Sequence, residues 1–211
     1  MSRQRGEHGK PGQSLEQLVD AGLAILKEEG LSGLTLRKAT VRAGLTQSAA
    51  YQLRTLARAT DRATSEIRSI DVALGFRAAI AARGFEKLWL RLRRASSDGN
   101  TDPVLLAVAY VDFARRNPGL YRVMFDLELG KELEFGDFQR FRAECFEVLL
   151  TTVRASGVTD DAVTRTLALA LLLHGLADES INGWIQTGSR HDLEALIQRH
   201  VALLLPRNFL Q

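Results

Sequence analysis

The stretch Gly33-Leu34-Thr35-Leu36-Arg37-Lys38-Ala39-Thr40-Val41-Arg42-Ala43-Gly44-Leu45-Thr46-Gln47-Ser48-Ala49-Ala50-Tyr51 carries the densest structural signal in the chain. It parses as a short helix, a tight turn and a second short helix. Thr35 offers a side-chain oxygen that can cap the first helix, which should end near Ala43-Gly44. Gly44 permits a reversal that a Cβ resists. Thr46 can cap the second helix, and Gln47 and Ser48 follow at its positive end, where short hydrogen-bonding side chains suit base edges and phosphates. In a helix-turn-helix the first element braces the DNA backbone while the second enters the major groove. Arg37, Lys38 and Arg42 supply cations for phosphates, as do Arg3, Arg5 and Lys10 ahead of them. A helical hairpin with a polar outer face has the same spacing, and that plainer reading stays open at this point.

Charge follows the same division. Residues 1–96 hold 17 Lys and Arg against 9 Asp and Glu, a net of +8, whereas residues 97–211 hold 11 against 16, a net of −5. A basic front on an acidic body suits a polyanionic partner for the front. The 211 residues, 45% hydrophobic and 25% charged, are enough for a substantial core. Cys145 is the single cysteine, which excludes an internal disulfide framework and cysteine-based zinc sites. The four histidines, His8, His174, His191 and His200, show no paired metal-ligand spacing, so no metal and no cofactor is expected. No apolar run approaches the ~20 residues of a membrane span. Residues 2–14 are basic and polar without the apolar core of a signal peptide, so a cytoplasmic location and no membrane partner are expected by default.

The remaining periodicity is helical throughout, with eight or nine helices expected and no confident strand. Helix one is expected over Ser14–Glu29, with Leu15, Leu18, Val19, Leu23, Ile25 and Leu26 as its apolar face and Gly30 as its stop. From Ile67 to Leu92 apolar residues recur at spacings of three and four, so one long helix could reach Arg94. Unbroken from Asp61 it would be ~50 Å long, so a break is expected. Thr101-Asp102-Pro103 opens a helix that stops at Asn117-Pro118, and Pro118 opens a short one carrying Leu120, Tyr121, Met124 and Phe125. A helix over Phe135–Ala155 comes next. Thr159-Asp160-Asp161 then caps the most apolar helix, expected to reach about Thr187, and Asp192–Leu205 forms the last.

The segment Leu15–Tyr51 resembles the DNA-binding part of the TetR family of regulators. The resemblance rests on Glu29-Gly30, on Thr35-Leu36-Arg37, on the turn Ala43-Gly44-Leu45-Thr46 and on Tyr51 closing the recognition helix. Further on, Ala82-Arg83-Gly84-Phe85, Asn117 to Phe125 and Leu173-His174-Gly175-Leu176 resemble one TetR subgroup with a Trp-His-Gly signature, here with Leu in place of Trp. The resemblance implies an all-α protein with a basic leader (1–13), a three-helix helix-turn-helix domain (14–60) and a helical ligand-binding and dimerisation domain (61–211) reached through a long helix. It implies a regulator, most simply a repressor and not an enzyme, that binds double-stranded operator DNA as a homodimer and is released by a small-molecule effector. Thr35, Arg37, Lys38, Arg42, Thr46, Gln47, Ser48 and Tyr51 become the DNA-binding candidates. Tyr110, Phe113, Tyr121, Phe125 and His174 become the ligand-binding candidates, with Met124 and Phe146 beside them. Leu172, Leu176, Trp184, Leu196 and His200 become the dimer-interface candidates.

The chain departs from the family after Tyr51, where His and Phe positions carry Leu53 and Arg54, and where Leu53–Phe76 lengthens the path to Phe85. An insertion, an out-of-frame stretch restored downstream, or a replaced anchor with Arg54, Arg58 and Arg62 touching phosphate all fit it. A TetR-like dimer that binds a ligand but has lost DNA is therefore the main alternative. The remote one is a helical enzyme built on His174 and Asp178-Glu179, for which no phosphate loop, nucleophile elbow or metal motif is present.

Overall fold

A computed structural model of the chain describes residues 11–46, 72–97, 102–131, 136–158, 160–185 and 188–205. Among them it contains nine α-helices, one 3-10 turn and no strand. Helix α1 covers Pro11–Glu29, so the described helix already includes the three residues ahead of the expected start at Ser14. The 3-10 turn Leu31–Gly33 leads to α2, Leu36–Arg42. The expected recognition helix and the segment up to Asp71 lie outside the described residues, and so does the expected break in the long helix.

Helix α3, Val72–Ala95, is the central strut. Its first turns meet α1: Gly22 lies so close that a Cβ there would sit 2.6 Å from Ile80 Cδ1 and 2.9 Å from Phe76 Cζ. Its later turns bury Phe85, Leu88 and Leu92 against the remaining helices. Helix α4, Pro103–Arg116, begins where expected, with Asp102 accepting from the Val104 amide (2.8 Å). Helix α5, Pro118–Met124, follows after one residue. A five-residue α6, Leu127–Lys131, was not foreseen. Helix α7 spans Gly136–Ala155 and lies antiparallel on α3, with Cys145 beside Phe85 and Trp89 beside Phe141.

Helix α8 covers Ala162–Ile181, six residues short of the expected end. The stop is local: Asn182 caps the helix and Gly183 turns the backbone to φ 81°, so the apolar Trp184 and Ile185 fall outside it. At the other end Asp161, one of the three residues expected to cap the helix, occupies the cap position in a left-handed conformation but makes no side-chain cap bond. Helix α9, Arg190–Leu204, starts two residues early because Ser189 and Asp192 form a reciprocal capping box. Helices α8 and α9 form an antiparallel hairpin, tied by Arg165 Nη1 donating to the Leu204 carbonyl (2.6 Å). Helix α4 packs on both and places Leu106, Ala107, Val111 and Ala114 in the core with no exposure.

Candidate functional site

Three places gather the candidate residues. At the α1–α2 corner Thr35 caps α2 by accepting from the Lys38 amide (3.2 Å). Ala39 and Thr40 turn inward, and Thr40 returns its hydroxyl to the Leu36 carbonyl (2.8 Å). The helix then ends in a Schellman turn: the Leu45 amide donates to Thr40 O (3.0 Å) and the Gly44 amide to Val41 O (3.1 Å). Gly44 takes φ 67° with open space around it, so conformation alone demands glycine there.

Two rows of side chains face outward from α2. Arg37 and Val41 form one, and Val41 is 74% exposed. Arg37 has no partner among the described residues. Lys38 and Arg42 form the other, and both are ion-paired to the end of α1. Lys38 Nζ reaches Glu29 (2.5 Å), while Arg42 holds both oxygens of Glu28 (2.5 and 2.6 Å). The Arg42 guanidinium pulls the Glu28 carboxyl below the ordinary carboxylate range, and Glu28 in turn raises Arg42. Thr46 is exposed, and Gln47, Ser48 and Tyr51 lie outside the described residues.

The second place is interior. Tyr121 of α5 sits 3.1 Å from the Tyr110 hydroxyl of α4 and 2.7 Å from His174 Nδ1 of α8. Tyr110 and Tyr121 are buried, and each phenol has one proton to give. A run Tyr110→Tyr121→His174 Nδ1 uses both protons, whereas the reverse run leaves the Tyr110 proton with no acceptor among the described residues. That run assigns His174 the neutral tautomer protonated on Nε2. Burial agrees: it pushes His174 below the ordinary imidazole range, with Asp178 pulling the other way, and it drives both tyrosines upward. Phe125 lies 4.3 Å from the His174 ring and 4.7 Å from the Tyr121 ring, and Phe85 and Phe138 extend the cluster. His174 and Phe125 are its half-buried members. Phe113 is buried but shares no ring contact with this group among the described residues, and neither does Phe146. The sequence reading missed Phe85 and Phe138, although Phe85 stood on the apolar face of its helix.

Helix α5 holds α8 at a second point. Arg122 Nη2 donates to Asn182 Oδ1 (2.8 Å), and Asn182 Nδ2 donates to Asp178 Oδ2 (3.1 Å). At its other end α5 touches the front of the molecule. A Cβ on Gly119 would sit 3.4 Å from the Leu26 carbonyl oxygen and 3.8 Å from the Leu31 amide. This short helix thus touches α1, α3, α4 and α8 at once.

The third place is the outer face of α8 and α9. Val163, Leu167 and Leu171 recur every fourth residue on α8 with 58%, 53% and 64% exposure, and Leu203 on α9 is 82% exposed. Trp184 is also bare, while Leu172, Leu196 and His200 are half-buried. His200 Nδ1 lies 2.8 Å from the Leu196 carbonyl within its own helix. Leu176 turns into the core instead of outward, and Val163 joins Leu167 and Leu171 in the exposed row.

Residues 104–204 match the family model described as the tetracyclin repressor-like C-terminal domain. An uncharacterised HTH-type transcriptional regulator of Bacillus subtilis, YobS, is 25% identical over 166 residues, covering 78% of this chain and 77% of that protein. A solved protein of unknown function from Rhodococcus sp. RHA1 shares the fold with a TM-score of 0.67 at 18% identity, over 96% of this chain and 97% of that one. A bacterial regulatory protein in the TetR family from Rhodococcus RHA1 superposes with a TM-score of 0.59 at 16% identity, over 91% and 95% of the two chains.

Proposed function

We propose that the chain, whose residues 104–204 match the tetracyclin repressor-like C-terminal domain, is a homodimeric repressor of the TetR family that binds operator DNA and releases it on binding a small-molecule effector. One observation supports the DNA part: Thr35 and Gly44 bound a capped helix and a Schellman turn, and Arg37 stands exposed on that helix just ahead of the segment in which the sequence places the recognition helix. Arg37, Lys38 and Arg42 would meet phosphates, whereas Thr46, Gln47, Ser48 and Tyr51 would face bases or position the helix. The test is retardation of DNA from around the protein's own gene. Salt-sensitive, sequence-selective retardation supports the reading, and its absence even at low salt favours a dimeric ligand-binding protein that has lost DNA.

The row Val163, Leu167 and Leu171, with Leu203, is the surface we assign to the partner subunit, joined by Leu172, Trp184, Leu196 and His200 at its margins. Covering the exposed half or so of Leu167 and of Leu171 contributes about 1–2 kcal/mol each. Leu167→Glu combined with Leu171→Glu should turn a dimer into a monomer in sedimentation velocity, and an unchanged sedimentation coefficient would reject this face.

The effector is assigned to the side of His174 and Phe125, where the aromatic cluster with Tyr110 and Tyr121 reaches the surface; Phe113 would support it from the core. A molecule wedged there moves Tyr121, and with it α5 and the Gly119 contact on α1. Recognition helices must match half-sites about one DNA turn (~34 Å) apart, so a small displacement suffices to release the operator.

A further inference from the structure

Glu28 and Glu29 stand where α1 disfavours them. A helix carries partial negative charge at its C-terminal end, and carboxylates in the last turn oppose it. What they obtain in exchange lies on α2, where Arg42 grips both oxygens of Glu28 and Lys38 meets Glu29. These cations occupy one outward row, one helical turn apart, beside Arg37, which is unpaired among the described residues. All four charged groups of the two pairs remain open to solvent, with side chains 40–54% exposed. The corner therefore holds three cations facing outward, of which two arrive already neutralised.

We propose that Glu28 and Glu29 act as built-in competitors of DNA phosphates for Arg42 and Lys38, lowering the protein's sequence-independent affinity for DNA. The inference rests on the DNA-binding reading given above. Its physical basis is that each phosphate neutralised by a free cation releases counterions from DNA, with a slope of about −0.9 in log K against log salt. A cation that must first leave a carboxylate brings less. The carboxylate it leaves behind then sits close to the polyanion and repels it. Phosphates carry no sequence information, so the restraint acts on operator and unrelated DNA alike.

The alternative role, a brace that merely fixes α2 on α1, has the opposite signature. Loss of a brace misaligns the recognition helix and lowers operator affinity more than affinity for random DNA. The two are separated by measuring binding of the full chain to operator-containing and unrelated duplexes between about 50 and 200 mM salt, for the native protein, Glu28→Gln, Glu29→Gln and the double variant. Competition predicts an affinity gain of roughly three- to tenfold at about 100 mM salt in the double variant, similar on both duplexes. The slope should steepen by up to about 0.9 for each cation released. Thermal unfolding of each variant, followed in parallel, reports whether α2 stays docked, and either single variant alone suffices for the test if the double variant unfolds. Unchanged or weaker binding by the variants, with the native protein still retarding DNA, overturns the competition and leaves the DNA-binding reading standing. Binding that appears only in the variants supports both. No retardation by any of them at low salt overturns both.

Discussion

The α1–α2 corner and the α5–α8 clasp solve opposite electrostatic problems. The corner is wet and crowded with full charges, and its pairs can be exchanged for outside ions with little structural cost. The inner part of the clasp buries its two tyrosines and is one hydrogen-bonded run of neutral groups, from Tyr110 through Tyr121 to the half-buried His174. A neutral run avoids the desolvation penalty of a buried ion, but every member then depends on the next. The difference teaches where each signal can enter. Ions in solution can reach the exposed pairs of the corner, whereas only something that penetrates the aromatic cluster, or changes the protonation of His174, reaches the inner clasp.

The comparison breaks most visibly at Tyr121. Tyr121→Ala removes a fully buried ring that touches Tyr110, Phe125 and His174, and should cost about 3–5 kcal/mol in denaturant unfolding. Tyr121→Phe keeps the ring and strands His174 Nδ1 and the Tyr110 hydroxyl, so about 1–3 kcal/mol is expected. If the phenylalanine variant were as stable as the native chain, the hydrogen-bonded run would have no energetic role.

A smaller effect separates the regions by pH. Burial lowers His174 from its ordinary value of 6.5, with Asp178 partly offsetting it, so below that pH the unfolded chain takes up a proton that the folded imidazole refuses. Its contribution to stability is complete above pH 6.5 and is lost as pH falls toward the lowered folded value. His174→Gln should flatten that part of the stability profile, as measured by chemical unfolding between about pH 5.5 and 7.5 against the native chain. An identical slope in both proteins would place the proton elsewhere.

Local signals were legible in the chain and distant ones were not. Thr35, Gly44, Asp102 and Pro118 act within four residues of themselves, and their caps and turns stand where the sequence places them. The end of α8 was also written locally, in Asn182-Gly183, but the apolar Trp184 and Ile185 masked it. The outward turn of Val163 and the inward turn of Leu176 depend on how α8 rolls against α4 and α7, which an apolar-all-round helix leaves undetermined. The ion pairs from Glu28 and Glu29 span 14 and 9 residues and the Tyr121–His174 contact spans 53, so each exists only once the helices have docked. That is why Lys38 and Arg42 read as free phosphate ligands in the sequence and prove to be partnered in the fold.

The central claim is that the α2 face meets DNA, and Arg37, the cation on that face with no partner among the described residues, tests it most directly. Binding of the native chain and of Arg37→Ala to operator DNA should be titrated against salt. The account predicts uniformly weaker binding to all sequences and a slope smaller by about 0.9 for each phosphate that Arg37 neutralises in the native complex. Equal affinity and equal slope in the two proteins would contradict it.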